Sequence, residues 1–257
     1  MELDFYKYQA AGNDFILFNE MEHPYNLNEN QIEKLCNRRF GIGADGVIFL
    51  RPSKHYDFTM VYHNADGKLA SMCGNGGRSI VRFAVDLKLI KDRCRFDAPD
   101  GAHSAIVLKE QVKLKMIDVD IPQKSNLSLF ETGSPHYVEE VIYLSDFDVV
   151  REGRKIRFDS RFAPDGCNVN FVEDVSPMEI YQRTYERGVE DETLACGTGA
   201  VAGAIYQAIK HKLTDDEILV HMQGGDLSVS FHRSENRFVN VWLSGPAKFV
   251  FKGQIQV

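Results

Sequence analysis

Two cysteines stand in matching surroundings: Cys73 within Met72-Cys73-Gly74-Asn75-Gly76-Gly77, and Cys196 within Ala195-Cys196-Gly197-Thr198-Gly199-Ala200. Each directly precedes a run that reads as a buried helix. A thiol at a helix start meets unpaired backbone N–H groups and the positive end of the macrodipole, and both favour the thiolate. Elsewhere its pKa of about 8.5 leaves only a few per cent ionised near neutrality. The glycines at 74, 76, 197 and 199 let N–H groups approach a bound anion without a Cβ in the way, so a carboxylate is the group such helix starts would hold. If the two faced one another, one thiolate could take a proton from one face of an α-carbon while the opposite thiol returned one to the other face. The developing enolate charge would then rest on the two helix starts. Two such thiols titrate as a pair, because ionising the first makes the second harder to ionise, and a base and an acid coexist near neutrality.

Other chemistries find less support. Gly197-x-Gly199-x-x-x-Gly203 approaches a dinucleotide-binding fingerprint, but the preceding residues, Glu186 to Thr193, are charged and polar where a buried parallel strand is needed. Cys36, Cys94 and Cys167 lack the matched setting and read as small buried hydrophobes. No two cysteines are spaced as zinc ligands and there is no His-Glu-x-x-His, so no metal site is expected. The five cysteines are odd in number and widely spaced, and Met1-Glu2-Leu3-Asp4 does not begin a secretory leader; reduced thiols in a cytoplasm are expected. No run approaches the roughly 18 apolar residues of a membrane span. A net charge of −7 over 257 residues disfavours nucleic acid as a partner. The densest basic stretch, Arg151 to Arg161, reads as a solvated loop.

The elements that must position these cysteines are mostly strands. Phe5–Tyr8, Phe15–Asn19, Val47–Leu50, Phe58–His63, Ser104–Leu108, Gln111–Met116, Tyr137–Val141 and Phe171–Val175 bear β-branched or aromatic residues beside turn formers. Glu217–Met222, Leu227–Phe231, Phe238–Leu243 and Ala247–Val257 continue the series. Asn28 with Gln31 predicts a helix start. Gly76 to Leu87 and Gly199 to His211 predict helices apolar nearly all round, hence buried. The halves repeat: Gly12 and Gly133, each before a strand, lie 121 residues apart, and Cys73 and Cys196 lie 123 apart. The expectation is an α/β (α+β) fold of two pseudo-symmetric β-rich domains, each wrapped around a central helix. Residues 1–118, completed by the last strand at 248–257, form the first, and residues 119–247 the second.

On these residues the chain resembles the diaminopimelate epimerases, a family of cofactor-independent amino-acid racemases and epimerases. The motifs follow in order along the whole chain: Gly12-Asn13-Asp14-Phe15, Gly41-Ile42-Gly43-Ala44-Asp45-Gly46, Asn64-Ala65-Asp66-Gly67, Cys73-Gly74-Asn75-Gly76-Gly77-Arg78, Gly133-Ser134-Pro135-His136, Asn168-Val169-Asn170-Phe171, Tyr185-Glu186-Arg187-Gly188 and Cys196-Gly197-Thr198-Gly199. The resemblance implies interconversion of LL- and meso-2,6-diaminopimelate, which supplies lysine and peptidoglycan synthesis, with no cofactor and as a homodimer. It implies proton transfer by Cys73 and Cys196, with amides of Gly74, Asn75, Gly197 and Thr198 holding the reacting carboxylate. The distal end of the substrate would meet Asn13, Asn64, Asn168, Glu186 and Arg187, the guanidinium gripping the distal carboxylate as a fork. His136 and Glu186 would poise the thiols.

Three positions depart from the family pattern. Ala11 precedes Gly12 where glycine or another small residue is commoner, Ser134 stands where many members have Asn, and Gly188–Thr193 is one residue longer than usual. Two alternatives remain open from sequence: another cofactor-independent racemase of this fold, such as a proline or hydroxyproline racemase, and a non-catalytic diamino-acid-binding protein.

Overall fold

The computed structural model describes residues 1–122 and 128–257. β1 (Glu2–Ala10) and β2 (Asn13–Asn19) precede α1 (Glu29–Cys36), and β3 (Gly46–Arg51), β4 (Phe58–Asn64) and β5 (Leu69–Ala70) lead to α2 (Gly74–Asp86). β6 (Arg93–Ala98), β7 (Gly101–Leu108), β8 (Gln111–Lys115) and β9 (Val119–Asp120) follow. Next come β10 (Leu129–Glu131), β11 (Pro135–Glu140), α3 (Val149–Arg157), β12 (Asn168–Ser176), β13 (Glu179–Glu186), β14 (Asp191–Thr193) and α4 (Gly197–His211). The chain ends in β15 (Asp215–Met222), β16 (Gly225–Ser234), β17 (Arg237–Pro246) and β18 (Lys248–Gln256). Among the described residues no helix is long and apolar enough to cross a membrane.

The chain divides into two compact units, Met1–Leu114 with Gly245–Val257, and Lys115–Ser244. In the first, β1 lies antiparallel to β18 and β2, β2 parallel to β3, β3 antiparallel to β4, and β4 parallel to β6; β7 and β8 continue antiparallel. The second repeats the series: β10 antiparallel to β11, β11 parallel to β12, β12 antiparallel to β13, and β13 parallel to β15, followed by antiparallel β16 and β17. In each unit the strands enclose one helix. α2 packs on β1, β2, β3, β4, β7 and β18, and α4 packs on β11, β12, β13, β15 and β16. α4 is buried along most of its length and is apolar around most of its circumference, while α2 keeps Arg82 and Asp86 at its outer edge.

Local choices follow elementary rules. α1 starts with a full capping box between Asn28 and Gln31. The β1–β2 hairpin closes on Ala11 and Gly12, both with positive φ (50° and 87°), as a two-residue turn between twisted strands requires. Ala11 therefore adopts a backbone that glycine would adopt with less strain.

Three sequence expectations change. The basic stretch at 151–161 is not a loop: it lies in α3, followed by a short 3-10 turn at Ser160–Phe162. Asp148 caps α3 by accepting from the Arg151 N–H, and Glu152 pairs with Arg151 and Lys155 on the solvent side. Only Val149 and Gly153 are buried, too few apolar positions to show a helical period, and a mid-helix glycine hides it further. β13 escapes a search for apolar alternation because its inward face carries Ile180, Gln182 and Thr184. α2 is less apolar than its pattern suggests, since Arg78 lies fully buried on it.

Gly153 supplies a test of the α3 packing. A Cβ at this position would stand 2.4 Å from Tyr185 Cβ on β13. Gly→Ala inside a helix normally gains about 0.5–1 kcal/mol, but here the methyl group must push the helix off the strand, and Gly153→Ala is expected to lose about 1–3 kcal/mol in urea unfolding. A stabilised variant would place α3 away from β13.

Candidate active site

In the first unit Cys73 is the N-cap of α2, half-buried, with an extended backbone (φ −95°, ψ 134°). Its side chain makes no capping bond and the first turn holds no acidic residue, so no carboxylate offsets the positive end of the helix. Asn75 is buried and held at both ends of its amide: Nδ2 donates to Asn13 Oδ1, and Oδ1 accepts from Arg78 Nη2 at 2.7 Å. Asn13 Nδ2 donates in turn to Asp45 Oδ2 at 2.9 Å, and Arg38 ties Asp45 to Asp14 at 2.7 and 2.6 Å. Burial alone would raise the Asp14 carboxyl, but Arg38 and Lys7 hold it down to about 2. Asn64 closes β4 in the same unit with an exposed side chain.

Arg78 is the large charged group of this core. Its other acceptors are the Gly74 and Pro246 carbonyls, both at 3.4 Å. Desolvation pulls the guanidinium down to about 10, while the charge of Cys73 acts in the opposite sense. At neutral pH it is still a cation, bonded to uncharged acceptors beside the start of α2, where it adds to the field that favours an anion.

In the second unit Cys196 is the N-cap of α4, buried and again without a side-chain cap or an acidic first turn. Beneath it β11, β12 and β13 present polar side chains on their helix-facing sides, because register pairs His136 with Asn168 and Asn170 with Thr184. His136 is fully buried; desolvation drives its pKa down to about 3, and Arg187 pushes the same way. Its Nε2 lies 2.9 Å from Thr198 Oγ1 and 3.0 Å from Ser134 Oγ, and Thr198 Oγ1 lies 3.5 Å from Cys196 Sγ. Asn168 Oδ1 accepts from the Arg187 N–H at 2.8 Å. Burial raises the Glu186 carboxyl above its ordinary range, and the Thr193 hydroxyl, donating at 3.0 Å, pulls it back. The Arg187 guanidinium is half-buried and has no ion-pair partner among the described residues. The longer 188–193 segment makes a turn into β14, in which the Glu190 N–H donates to Glu186 O at 2.8 Å and Arg157 pairs with Glu190 at 3.2 Å.

Of the residues singled out from sequence, Asn13 and Asn75 are joined by a direct bond in the first unit, beside Cys73 and Gly74. In the second unit His136, Asn168, Arg187, Thr198 and Cys196 are linked through bonds, with Glu186 adjacent in chain and Gly197 opening the helix. Cys36, Cys94 and Cys167 are buried with thiol pKa values raised by desolvation to about 12, 12 and 11, as inert packing residues should be. Among the described residues no group of three His, Cys, Asp or Glu could hold a metal ion. Two contributors escaped the sequence reading. Arg78 stands one turn before Arg82 on a helix read as buried, and only its burial in the structure marks it out. Asn170 stands two residues from Asn168, the spacing that puts both on one face of a strand.

The chain matches the profile of the diaminopimelate epimerase family over residues 5–121 and 128–250. It is 47% identical to a diaminopimelate epimerase of Flavobacterium psychrophilum, over 97% of this chain and 99% of that protein. It is 41% identical to a diaminopimelate epimerase of Chlorobaculum tepidum, over 96% and 98%. Among solved structures it is similar to a phenazine biosynthesis protein of the PhzF family from Bacillus anthracis (TM-score 0.77, 14% identity, 100% of both chains). It is also similar to a hydroxyproline epimerase from Agrobacterium vitis (TM-score 0.68, 13% identity, 99% and 92%). At such identities these structures speak for the fold alone.

The neutral, buried His136 has a measurable consequence. Its folded pKa lies below the ordinary 6.5, so the stability it contributes is present above about pH 6.5 and is lost as pH falls toward 3. Each pH unit in that window should remove about 1.4 kcal/mol. Urea unfolding at pH 7.5 and 5 should therefore show a loss about 2 kcal/mol larger for the wild type than for His136→Gln. Equal losses would mean that His136 takes up its proton readily in the folded state.

Proposed function

The chain belongs to the diaminopimelate epimerase family, a family of isomerases, and from that membership we propose that it inverts one α-carbon of 2,6-diaminopimelate between the LL and meso forms by moving protons between Cys73 and Cys196. The observation that carries this reading is the pair of matched helix starts, each with a cysteine as N-cap that makes no side-chain cap bond and with no acidic residue in the first turn. The thiolate of one cysteine removes the α-proton, and the electron pair of the C–H bond passes toward the carboxylate as an enolate. The Gly74 and Asn75 amides and the Gly197 and Thr198 amides stabilise that charge. The S–H of the other cysteine then gives its proton to the opposite face, so the bond broken and the bond formed are both C–H and the thiol and thiolate exchange roles. Protons balance without metal or pyridoxal phosphate.

The distal end gives specificity. Arg187, unpaired in an ion bridge among the described residues, offers its fork to the distal carboxylate. Glu186 with Asn168, Asn64 and Asn13 supplies acceptors for the distal ammonium. Ser134 Oγ already receives the Asn168 amide at 3.1 Å, so it supports Asn168 where many relatives carry an amide of their own. The setting is a cytoplasm, where the thiols stay reduced. The chain acts as a homodimer; in support, β18, whose partner among the described residues is β1, exposes Phe249, Val250 and Phe251. Sedimentation at twice the chain mass, lost in Phe251→Asp, is the expected result, and an unchanged dimer in that variant would put the interface elsewhere.

Epimerisation in deuterated water tests the two-thiol step. Product should carry solvent deuterium at the inverted carbon while substrate recovered early stays protiated, with reductant and chelator present and no pyridoxal phosphate. Cys73→Ala and Cys196→Ala should each lose roughly a hundred-fold or more in kcat, and the double variant should be scarcely worse, because the two act as a unit. A Cys196→Ala enzyme with most of its rate would reduce Cys196 to a packing residue.

A further inference from the structure

We propose that Asn170 is a positioning residue for Cys196: it fixes His136 as the Nε2–H tautomer, so the ring donates to the Thr198 hydroxyl and that hydroxyl donates to the Cys196 sulfur. The proposal rests on the reading of Cys196 as an acid/base group, and it adds to that reading the direction of the hydrogen bonds behind the sulfur.

The direction follows from one backbone carbonyl. Asn170 is fully buried, and its Nδ2 lies 3.0 Å from Tyr137 O, which can only accept. The amide nitrogen must face that side. Its oxygen, on the other side, accepts from Thr184 Oγ1 at 3.0 Å and Gln182 Nε2 at 3.1 Å. The second Nδ2 hydrogen points at His136 Nδ1, 3.1 Å away, so Nδ1 must be bare. A ring held neutral by burial carries a single N–H, which is therefore on Nε2.

That N–H finds Thr198 Oγ1 at 2.9 Å and Ser134 Oγ at 3.0 Å. Asn168 Nδ2 also lies 3.3 Å from Nε2. Its two hydrogens, however, have acceptors in Ser134 Oγ (3.1 Å) and Pro135 O (3.3 Å), and its Oδ1 is taken by the Arg187 N–H, so it does not compete for the ring. With its lone pair receiving from the imidazole, the Thr198 hydroxyl keeps its own hydrogen for Cys196 Sγ at 3.5 Å. Thr132 holds the same residue by donating to Thr198 O at 2.8 Å. The other tautomer would reverse the chain: Nε2 would accept from Thr198, and the sulfur would have to donate. The polarity that Asn170 sets favours the thiolate of Cys196, since a bond donated to the charged form stabilises it. Gly199 makes the contact possible, because a Cβ there would stand 2.5 Å from Asn170 Oδ1 and lift α4 off the amide.

Nitrogen-15 labelling of the histidines tests this without reference to turnover. Long-range proton–nitrogen correlations on the wild type should show His136 neutral with its proton on Nε2 from pH 5 to 9; a proton on Nδ1, or on both nitrogens, overturns the proposal. Asn170→Asp, an acceptor facing Nδ1, should move the ring proton to Nδ1 and lower kcat about ten-fold or more with KM little changed. Retention of the Nε2–H form, or of wild-type kcat, in a folded Asn170→Asp counts against it. Should that variant not fold, Thr198 decides. Thr198→Val should raise the pH of half-maximal iodoacetamide labelling at Cys196 by about one unit, a ten-fold loss of thiolate, while Thr198→Ser keeps the wild-type value and Cys73, read in the same digest, does not move. Equal shifts at both cysteines would mean general disturbance and sink the assignment. Activity surviving in Cys196→Ala would instead defeat the acid/base reading and leave the tautomer result standing.

Discussion

A helix start concentrates N–H groups and the positive end of the macrodipole, and this structure is built around two starts at which the N-cap residue is a cysteine that makes no side-chain cap bond. The contrast lies within the one chain. α1 and α3 lie at the periphery and are capped by Asn28 and Asp148, whose side chains accept from the helix N–H groups. α2 and α4, the enclosed helices, begin at Cys73 and Cys196 with no side-chain cap and no acidic first turn. With no acidic side chain in either first turn, both starts keep a field that favours an anion. A thiolate and a substrate carboxylate are the anions this arrangement suits. The surrounding strands hold each helix start in place because they pack on almost the whole circumference of the helix.

The two units repeat in topology and differ in electrostatics. Behind Cys73 stands Arg78, a buried cation bonded to an amide oxygen and two carbonyls. The offset of 123 residues that maps Cys73 onto Cys196 maps Arg78 onto Val201, which is buried and apolar. Behind Cys196 the support is neutral: an imidazole and two asparagines from strands, with the hydroxyls of Thr198 and Ser134. A buried full charge acts on the thiol over distance, whereas a neutral network acts through the direction of its hydrogen bonds. The repeat therefore supplies two similar scaffolds with unlike surroundings.

Solved structures that share this fold at 13–14% identity include a phenazine biosynthesis protein and a hydroxyproline epimerase. Two strand layers, each closed around a helix, are thus compatible with very different sequences, and chemistry is set by what lies at the helix starts and on the facing strands. In this chain those strands carry Asn168, Asn170, Gln182 and Thr184 on positions that a purely structural sheet would fill with aliphatic side chains. Most of these buried polar groups find partners, Gln182 Oε1 being left without one among the described residues, and the bonds among them define one arrangement in preference to many.

What the sequence determined by itself was everything local or repeated. Two largely buried helices were legible because a helix packed on most sides carries long apolar runs, and the Asn28 cap because a capping box spans only four residues. The cysteines were legible because the same glycine-flanked setting occurs twice at a matched offset, and family motifs run the length of the chain. The tertiary structure decided what depends on partners distant in sequence. α3 forms because Asp148 caps it and Gly153 fits against Tyr185, neither of which gives a helical period. β13 forms because Gln182 and Thr184 find Asn170 across the strand register, so polar residues occupy an inward face that sequence patterns assign to apolar ones. The polarity of the bonds behind Cys196 is still less local: it depends on which atom of Asn170 faces the Tyr137 carbonyl, 33 residues away in the chain. A hydrogen-bond direction is a property of the assembled partners, and no spacing of residue types along a chain encodes it.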